Sequence, residues 1–189
     1  MKSIKLMIIM PLMAFFIQNA CANGQSVGLY LTLQDYLNHK LSYSTAGSDK
    51  IKVDGLFGSN NVILTHDGKK QVFAKSEIFG YNANGEDFRF FNNAQYRIVS
   101  SKGILIYTHT TLVQQGKGPK PTELYYFSAS LSDPIQPLTV TNILIVYAKH
   151  PQFTYAVEGF FKNDSELSAY DSYNKQFKLA FLYSQNTNR

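Results

Sequence analysis

Between residues 51 and 130 the chain is cut into short β-branched and aromatic runs by turn residues, and no other feature restricts its fold as tightly. The predicted strands are 51–54, 61–66, 71–75, 77–81, 88–91, 95–100, 104–111 and 123–130. Asp67-Gly68 and Asn84-Gly85 supply the positive φ values that tight hairpins need, and Ser101-Lys102-Gly103 provides a third turn. Connections this short pair neighbouring strands antiparallel. From Ile104 to Tyr107 both alternating sets are apolar, which predicts a central strand covered on both faces.

Helical signals flank the sheet. Thr32 with Asp35 three residues on resembles a capping box, opening a short helix over 33–40 that buries Leu33, Tyr36, Leu37 and Leu41 and leaves Asp35 and His39 wet. After Asp133-Pro134 and Pro137 the period lengthens. Thr141 is expected to cap a helix through Lys149, and Pro151 to end it and begin the next. Asn163 with Glu166 then opens a helix whose stripe is Leu167, Tyr170, Tyr173, Phe177, Ala180 and Phe181. Residues 177–183 read equally well as a strand. The Gly-, Pro- and Lys-rich stretch 112–121 reads as a polar loop. The expected fold class is α+β. An antiparallel sheet of six to eight strands, open or curled into a partly open barrel, carries a short N-terminal helix and C-terminal helices. It forms a single domain over 23–189, with the sheet at about 50–130 and the helical segment at about 138–185.

The chain opens as a secretory signal does. Lys2 and Lys5 are followed by an apolar run over 6–17 and a short polar region ending in Ala20-Cys21-Ala22. Cleavage before Asn23 is expected, making 1–22 a signal peptide and the product periplasmic or extracellular. The apolar run is too short to be a permanent transmembrane span. A lipid anchor at Cys21, which would make an outer-membrane lipoprotein, is disfavoured because Gln18 makes a poor lipobox. Cys21 is the one cysteine in the sequence, so the cleaved chain has neither disulfide nor thiolate, and packing must hold it together.

The familiar catalytic motifs are missing. There is no G-x-S-x-G, no H-E-x-x-H and no G-x-G-x-x-G after a strand, and His39, His66, His109 and His150 are scattered. No metal site and no cofactor are expected. Lys2 and Lys5 carry part of the +5 formal charge in the leader, and the remaining cations form no cluster that would track phosphates, so nucleic acid is excluded as a partner. The weak catalytic candidates are Glu77, Asp87 and Arg89, brought together by one hairpin, and His109 at a strand end. Ion pairing or a satisfied sheet position is the simpler account of each of them. The tyrosine excess makes Tyr81, Tyr107 and Tyr125 candidate ligand-binding residues, although aromatic core packing is the simpler use.

Gly28-Leu29-Tyr30-Leu31-Thr32 with Asp35, Leu41-Ser42-Tyr43, Lys75-Ser76-Glu77-Ile78-Phe79-Gly80-Tyr81 with Phe88-Arg89-Phe90, and Tyr125-Tyr126-Phe127-Ser128 resemble a group of small uncharacterised exported proteins of Gram-negative bacteria. The resemblance implies an envelope location and carries no activity and no residue role. The expected function is a non-catalytic binding or interaction module of the periplasm or cell surface, with an envelope ligand or protein as partner. The alternative is a hydrolase or lyase acting on an envelope polymer. A lipid-carrying barrel is the third reading, and it requires an apolar cavity inside the sheet.

Overall fold

Asp67-Gly68 and Asn84-Gly85 form the turns read from the sequence, with φ of 48° and 73° in the first and 56° and 79° in the second. The computed structural model describes residues 27–45, 50–53 and 59–187. The segment read as a signal peptide, with Cys21, lies outside the described residues. In chain order the elements begin with β1 (Val27–Tyr30), α1 (Leu33–Leu37), β2 (Tyr43–Ser44) and β3 (Lys50–Val53). The hairpins follow as β4 (Asn61–His66), β5 (Lys69–Ala74), β6 (Gly80–Ala83), β7 (Glu86–Phe91), β8 (Ala94–Ser100), β9 (Leu105–Gln115) and β10 (Gly118–Ser128). The chain closes with β11 (Gln136–Pro137), α2 (Val140–Val146), α3 (Pro151–Phe160), a 3-10 turn (Asp164–Ser168), β12 (Tyr170–Asp171), β13 (Gln176–Phe177) and α4 (Lys178–Thr187).

The fold is α+β. An antiparallel sheet of eight strands runs in the order β11-β10-β9-β8-β7-β6-β1-β2, beside a three-stranded sheet β3-β4-β5 and the small pair β12-β13. The large sheet is open at both ends, so it is no closed barrel. A row of directly opposed residues, Leu29, Tyr81, Phe88, Arg97, Thr108 and Tyr125, crosses it and marks one face. At one end of this face Leu29, Tyr81 and Phe90 pack with Val62, Leu64 and Ile78 of the smaller sheet and its exit. At the other end Ile106 and Phe127 pack with Ile143, Phe153, Val157, Leu167 and Leu179 from the helical segment. Burying a side chain of that size stabilises by about 1.5–3 kcal/mol, so each cluster contributes at least as much as the net stability of a small domain before entropy is set against it. The opposite face carries Leu105 and Tyr107, covered by Ile135 and Leu131 from the loop before β11. The central strand is therefore covered on both faces, as its apolar run predicts.

Local signals hold where the chemistry is local. Thr32 caps α1, with Asp35 N donating to Thr32 Oγ1 at 3.1 Å and Thr32 N donating back to Asp35 Oδ2 at 3.0 Å. Tyr36 is buried as expected, whereas Leu37 is half exposed because α1 ends there after five residues. Pro151 opens α3 at its first turn, and Asn163 with Glu166 opens the 3-10 turn. Four expectations are corrected. The cap of α2 is Thr139, whose Oγ1 accepts from Asn142 N at 3.1 Å, two residues before Thr141. The long final helix is broken: the 3-10 turn and the β12-β13 pair take its first half, and α4 begins only at Lys178. The strand expected at 77–81 starts at Gly80, which leaves Glu77 in a turn where its N–H donates to the Ala74 carbonyl. The polar stretch 112–121 is mostly strand: β9 and β10 pair without interruption from Leu105↔Ser128 to Gln115↔Gly118, around Gly116 at φ 59°. The expected loop is the far half of a long two-stranded ribbon.

Candidate functional site

The two covering layers do not meet. Beside the smaller sheet, the part of this face that neither layer covers lies open as a groove of about 780 Å³, lined by the large sheet, the β7-β8 turn, Asn60 and Lys75. Strand alternation places Glu86 and Phe88 of β7, Gln95 and Arg97 of β8, Thr108, Thr110 and Leu112 of β9 and Glu123 of β10 on its floor. Asn92 and Asn93, both at positive φ in the β7-β8 turn, form one side, and Asn60 and Lys75 form an end.

Arg97 is the centre of this floor. Its Nη1 donates to Glu86 Oε1 and its Nη2 to Glu123 Oε1, each at 2.8 Å, and its Nε donates to Thr108 Oγ1 at 3.2 Å. One guanidinium on β8 thus ties its own strand to β7, β9 and β10 through hydrogen bonds of the strong, charge-assisted kind. The Glu86 bond first, and the Glu123 charge beside it, push its pKa further above the usual arginine range. At the wall, Tyr81 donates to Gln95 Oε1 at 2.9 Å and stacks on Phe88 with ring centroids 4.6 Å apart. Gln95 and Phe88 are therefore held in place before any ligand arrives.

The residues singled out from the sequence do not assemble into one centre. Glu77 is exposed in its turn. Asp87 lies on the opposite sheet face, accepting from Tyr30 Oη at 3.1 Å and Asn82 Nδ2 at 2.7 Å. Arg89 shares that face but is turned away from Asp87. It is 5% exposed, donates to Tyr107 Oη at 3.2 Å and to the Asp133 carbonyl at 2.9 Å, and lies over the rings of Phe91 and Tyr107. Among the described residues it has no carboxylate partner. His109 Nδ1 donates to the Gln95 carbonyl at 2.8 Å, and its ring sits between Tyr96 and Tyr126, with no carboxylate among the described residues in ion-pair reach. Tyr81 and Tyr107 are buried, and burial pushes the Tyr81 hydroxyl well above the usual tyrosine range. Tyr125 is half buried against Phe177.

The groove residues that sequence reasoning missed are Glu86, Gln95, Arg97, Thr108, Thr110 and Glu123. Arg97 and Glu123 are separated by two strands' worth of chain, and only the strand register sets them side by side. Among the described residues no cluster of three His, Cys, Asp or Glu is placed to hold a metal ion, and no helix is long and apolar enough to cross a membrane. No protein-family model matches the chain, and no curated protein or solved structure matches it.

Proposed function

We propose that this protein is a non-catalytic binding module of the cell envelope and that the groove over Arg97 is its binding site. The observation that carries this reading is the gap itself: two apolar layers cover the ends of one sheet face and leave its polar middle open. Its size falls within the range of ligand sites, about 300–1,000 Å³. The lining balances Lys75 and Arg97 against Glu86 and Glu123 and adds amides and hydroxyls, which suits a polar ligand of little net charge. The envelope address rests on the leader and on the resemblance to exported proteins.

The hydrolase or lyase reading draws less support. General acid and base work needs two groups in unequal environments converging on one substrate. Glu77, Asp87 and His109 point to separate places, and both groove carboxylates are engaged by the same guanidinium. A lipid carrier would need an apolar interior, whereas the sheet is open and the groove floor polar.

Thermal unfolding with envelope oligosaccharides, short peptides and fatty acids tests the reading, because any ligand of the folded state raises the midpoint by mass action. Thr110→Trp fills the groove from an exposed position. A ligand that protects the wild type and not Thr110→Trp supports the proposal. A ligand that protects both equally, or release of product from an envelope polymer, overturns it.

A further inference from the structure

Residues 108–112 line the groove consecutively, as do residues 92–95. Side chains of a strand point alternately to opposite faces, so a consecutive run means that main chain as well as side chain borders the space. The register explains why. Pairing between β8 and β9 ends at Arg97↔Thr108, and β9 continues to Gln115 while β8 has turned back at Asn92-Asn93. The Gln95 carbonyl, next in line on β8, takes the His109 imidazole instead of a β9 amide. From Thr110 onward, this edge of β9 has no registered partner among the described residues.

The direction of each main-chain group follows from the ribbon. Gln115 and Gly118 close a two-residue turn, so they form a hydrogen-bonded pair and every second pair along the ribbon does likewise. Leu112↔Pro121 and Gln114↔Pro119 fall between these and turn their main chain outward. The Leu138 N–H donating to the Tyr125 carbonyl confirms that the odd residues of β10 face away from β9. Pro119 and Pro121 therefore sit on the outer edge of β10, where a missing N–H blocks strand addition. The β9 edge carries no proline, and its outward groups at Thr110, Leu112 and Gln114 keep both donor and acceptor. One edge of the ribbon is closed to another strand, and the open edge borders the groove.

We infer that the open β9 edge, from Thr110 to Gln115, takes an extended segment of another polypeptide as an added strand lying in the groove. The inference rests on the groove being the binding site. A row of alternating main-chain donors and acceptors is matched by another extended main chain, and such addition gives affinity through the backbone and selectivity through alternate side chains. At ~3.4 Å per residue the edge accommodates about five or six residues. The β7-β8 turn also borders the groove, so an added strand runs between that turn and β9, and a second copy's two-stranded ribbon would have to pass the same turn.

Random peptides displayed on phage are the probe, selected on the wild-type protein with excess soluble Leu112→Pro as competitor. That variant removes one outward N–H at a position facing Pro121, where the ladder uses no bond, and Gln114→Pro facing Pro119 repeats the test should Leu112→Pro fail to fold. The expected result is a set of peptides that bind wild type and lose about tenfold or more on either variant, the scale of one or two main-chain hydrogen bonds. N-methylation at alternate peptide amides abolishes binding in one phase and leaves it unchanged in the other. Peptides that bind wild type and variants equally, or recovery of none, overturn the inference, as does a wild-type dimer dispersed by Leu112→Pro. If no peptide is recovered while another ligand protects wild type and not Thr110→Trp, the added strand fails and the groove reading stands. If Thr110→Trp alters the binding of no ligand, the groove reading fails first.

Discussion

Arg89 donates through Nη1 to the Tyr107 hydroxyl at 3.2 Å, and this bond anchors a buried cation to the middle of the sheet. The same hydroxyl lies 2.9 Å from Ser128 Oγ, which donates on to the Ser130 carbonyl at 2.7 Å. Tyr107 is thus the hub of a buried polar chain, and Arg89 is one of its spokes. Tyr107→Phe leaves the Arg89 Nη1 donor without its acceptor and the Ser128 Oγ without the donor it accepts from, in a dry site, and is expected to destabilise by about 1–3 kcal/mol. Arg89→Met keeps the volume and removes the charge whose burial needs partners, so its change stays within about 1.5 kcal/mol. Urea unfolding midpoints of the two variants decide this, and equal losses would contradict the hub.

Tyr30 gives the alkaline limb of stability a specific origin. Burial first, and the Asp87 charge second, push its hydroxyl up to about 12. A group whose folded pKa is raised contributes stability that is complete below its unfolded value, about 10, and lost as the pH rises through the folded one. Wild type is therefore expected to lose this contribution between those two values. Tyr30→Phe removes that part of the pH dependence. Asp87→Asn moves the Tyr30 titration back toward the ordinary tyrosine range, which NMR of the tyrosine ring carbons reads directly.

Two glycines test how closely the sheet is built. A Cβ at Gly80 would collide with the main-chain carbonyl of Phe88, which cannot move without breaking the β6-β7 pairing. One at Gly28 would meet first the Leu41 side chain, at Cδ1, Cδ2 and Cγ, which can shift where a main-chain carbonyl cannot. Gly80→Ala is expected to destabilise by about 1–3 kcal/mol or more, and Gly28→Ala by clearly less. Thermal midpoints of the pair give the comparison.

The prolines of β10 are expected to act as guards. Replacing Pro119 and Pro121 together by Ala restores outward N–H groups on the second edge of the ribbon. The double variant should keep the fold and self-associate at concentrations where the wild type is monomeric, as read by sedimentation velocity. Unchanged sedimentation would remove the guard role.

The boundaries that were legible came from residues acting within a turn of themselves. Thr32 with Asp35, Pro151, Asn163 with Glu166, and the Asp-Gly and Asn-Gly pairs all do in the structure what their chemistry dictates at short range. The stretch 112–121 failed for an instructive reason. Gly, Pro and Lys favour loops on average, but Pro119 and Pro121 alternate with Lys120 so that each proline faces outward, where a strand needs no N–H. The final helix failed because Tyr170 and Phe177 meet face to edge across a hairpin, at a centroid distance of 5.3 Å, and side chains at helical spacing served a turn instead.

The candidate site divided along the same line. Residue type alone drew attention to Glu77, Asp87, Arg89 and His109, because titratable side chains carry chemistry wherever they sit. What each one does depends on which face of the sheet it occupies, and a strand reverses face at every residue. The sequence by itself determined the antiparallel hairpins, the doubly covered central strand and the starts of α1 and α3, since each depends on neighbours a few residues away. Only the tertiary structure decided that Glu86, Arg97 and Glu123 meet on one floor, that two apolar layers leave that floor open, and that one edge of the ribbon stays unpaired among the described residues. Those outcomes depend on register summed across four strands and on where distant layers stop, which no local pattern encodes.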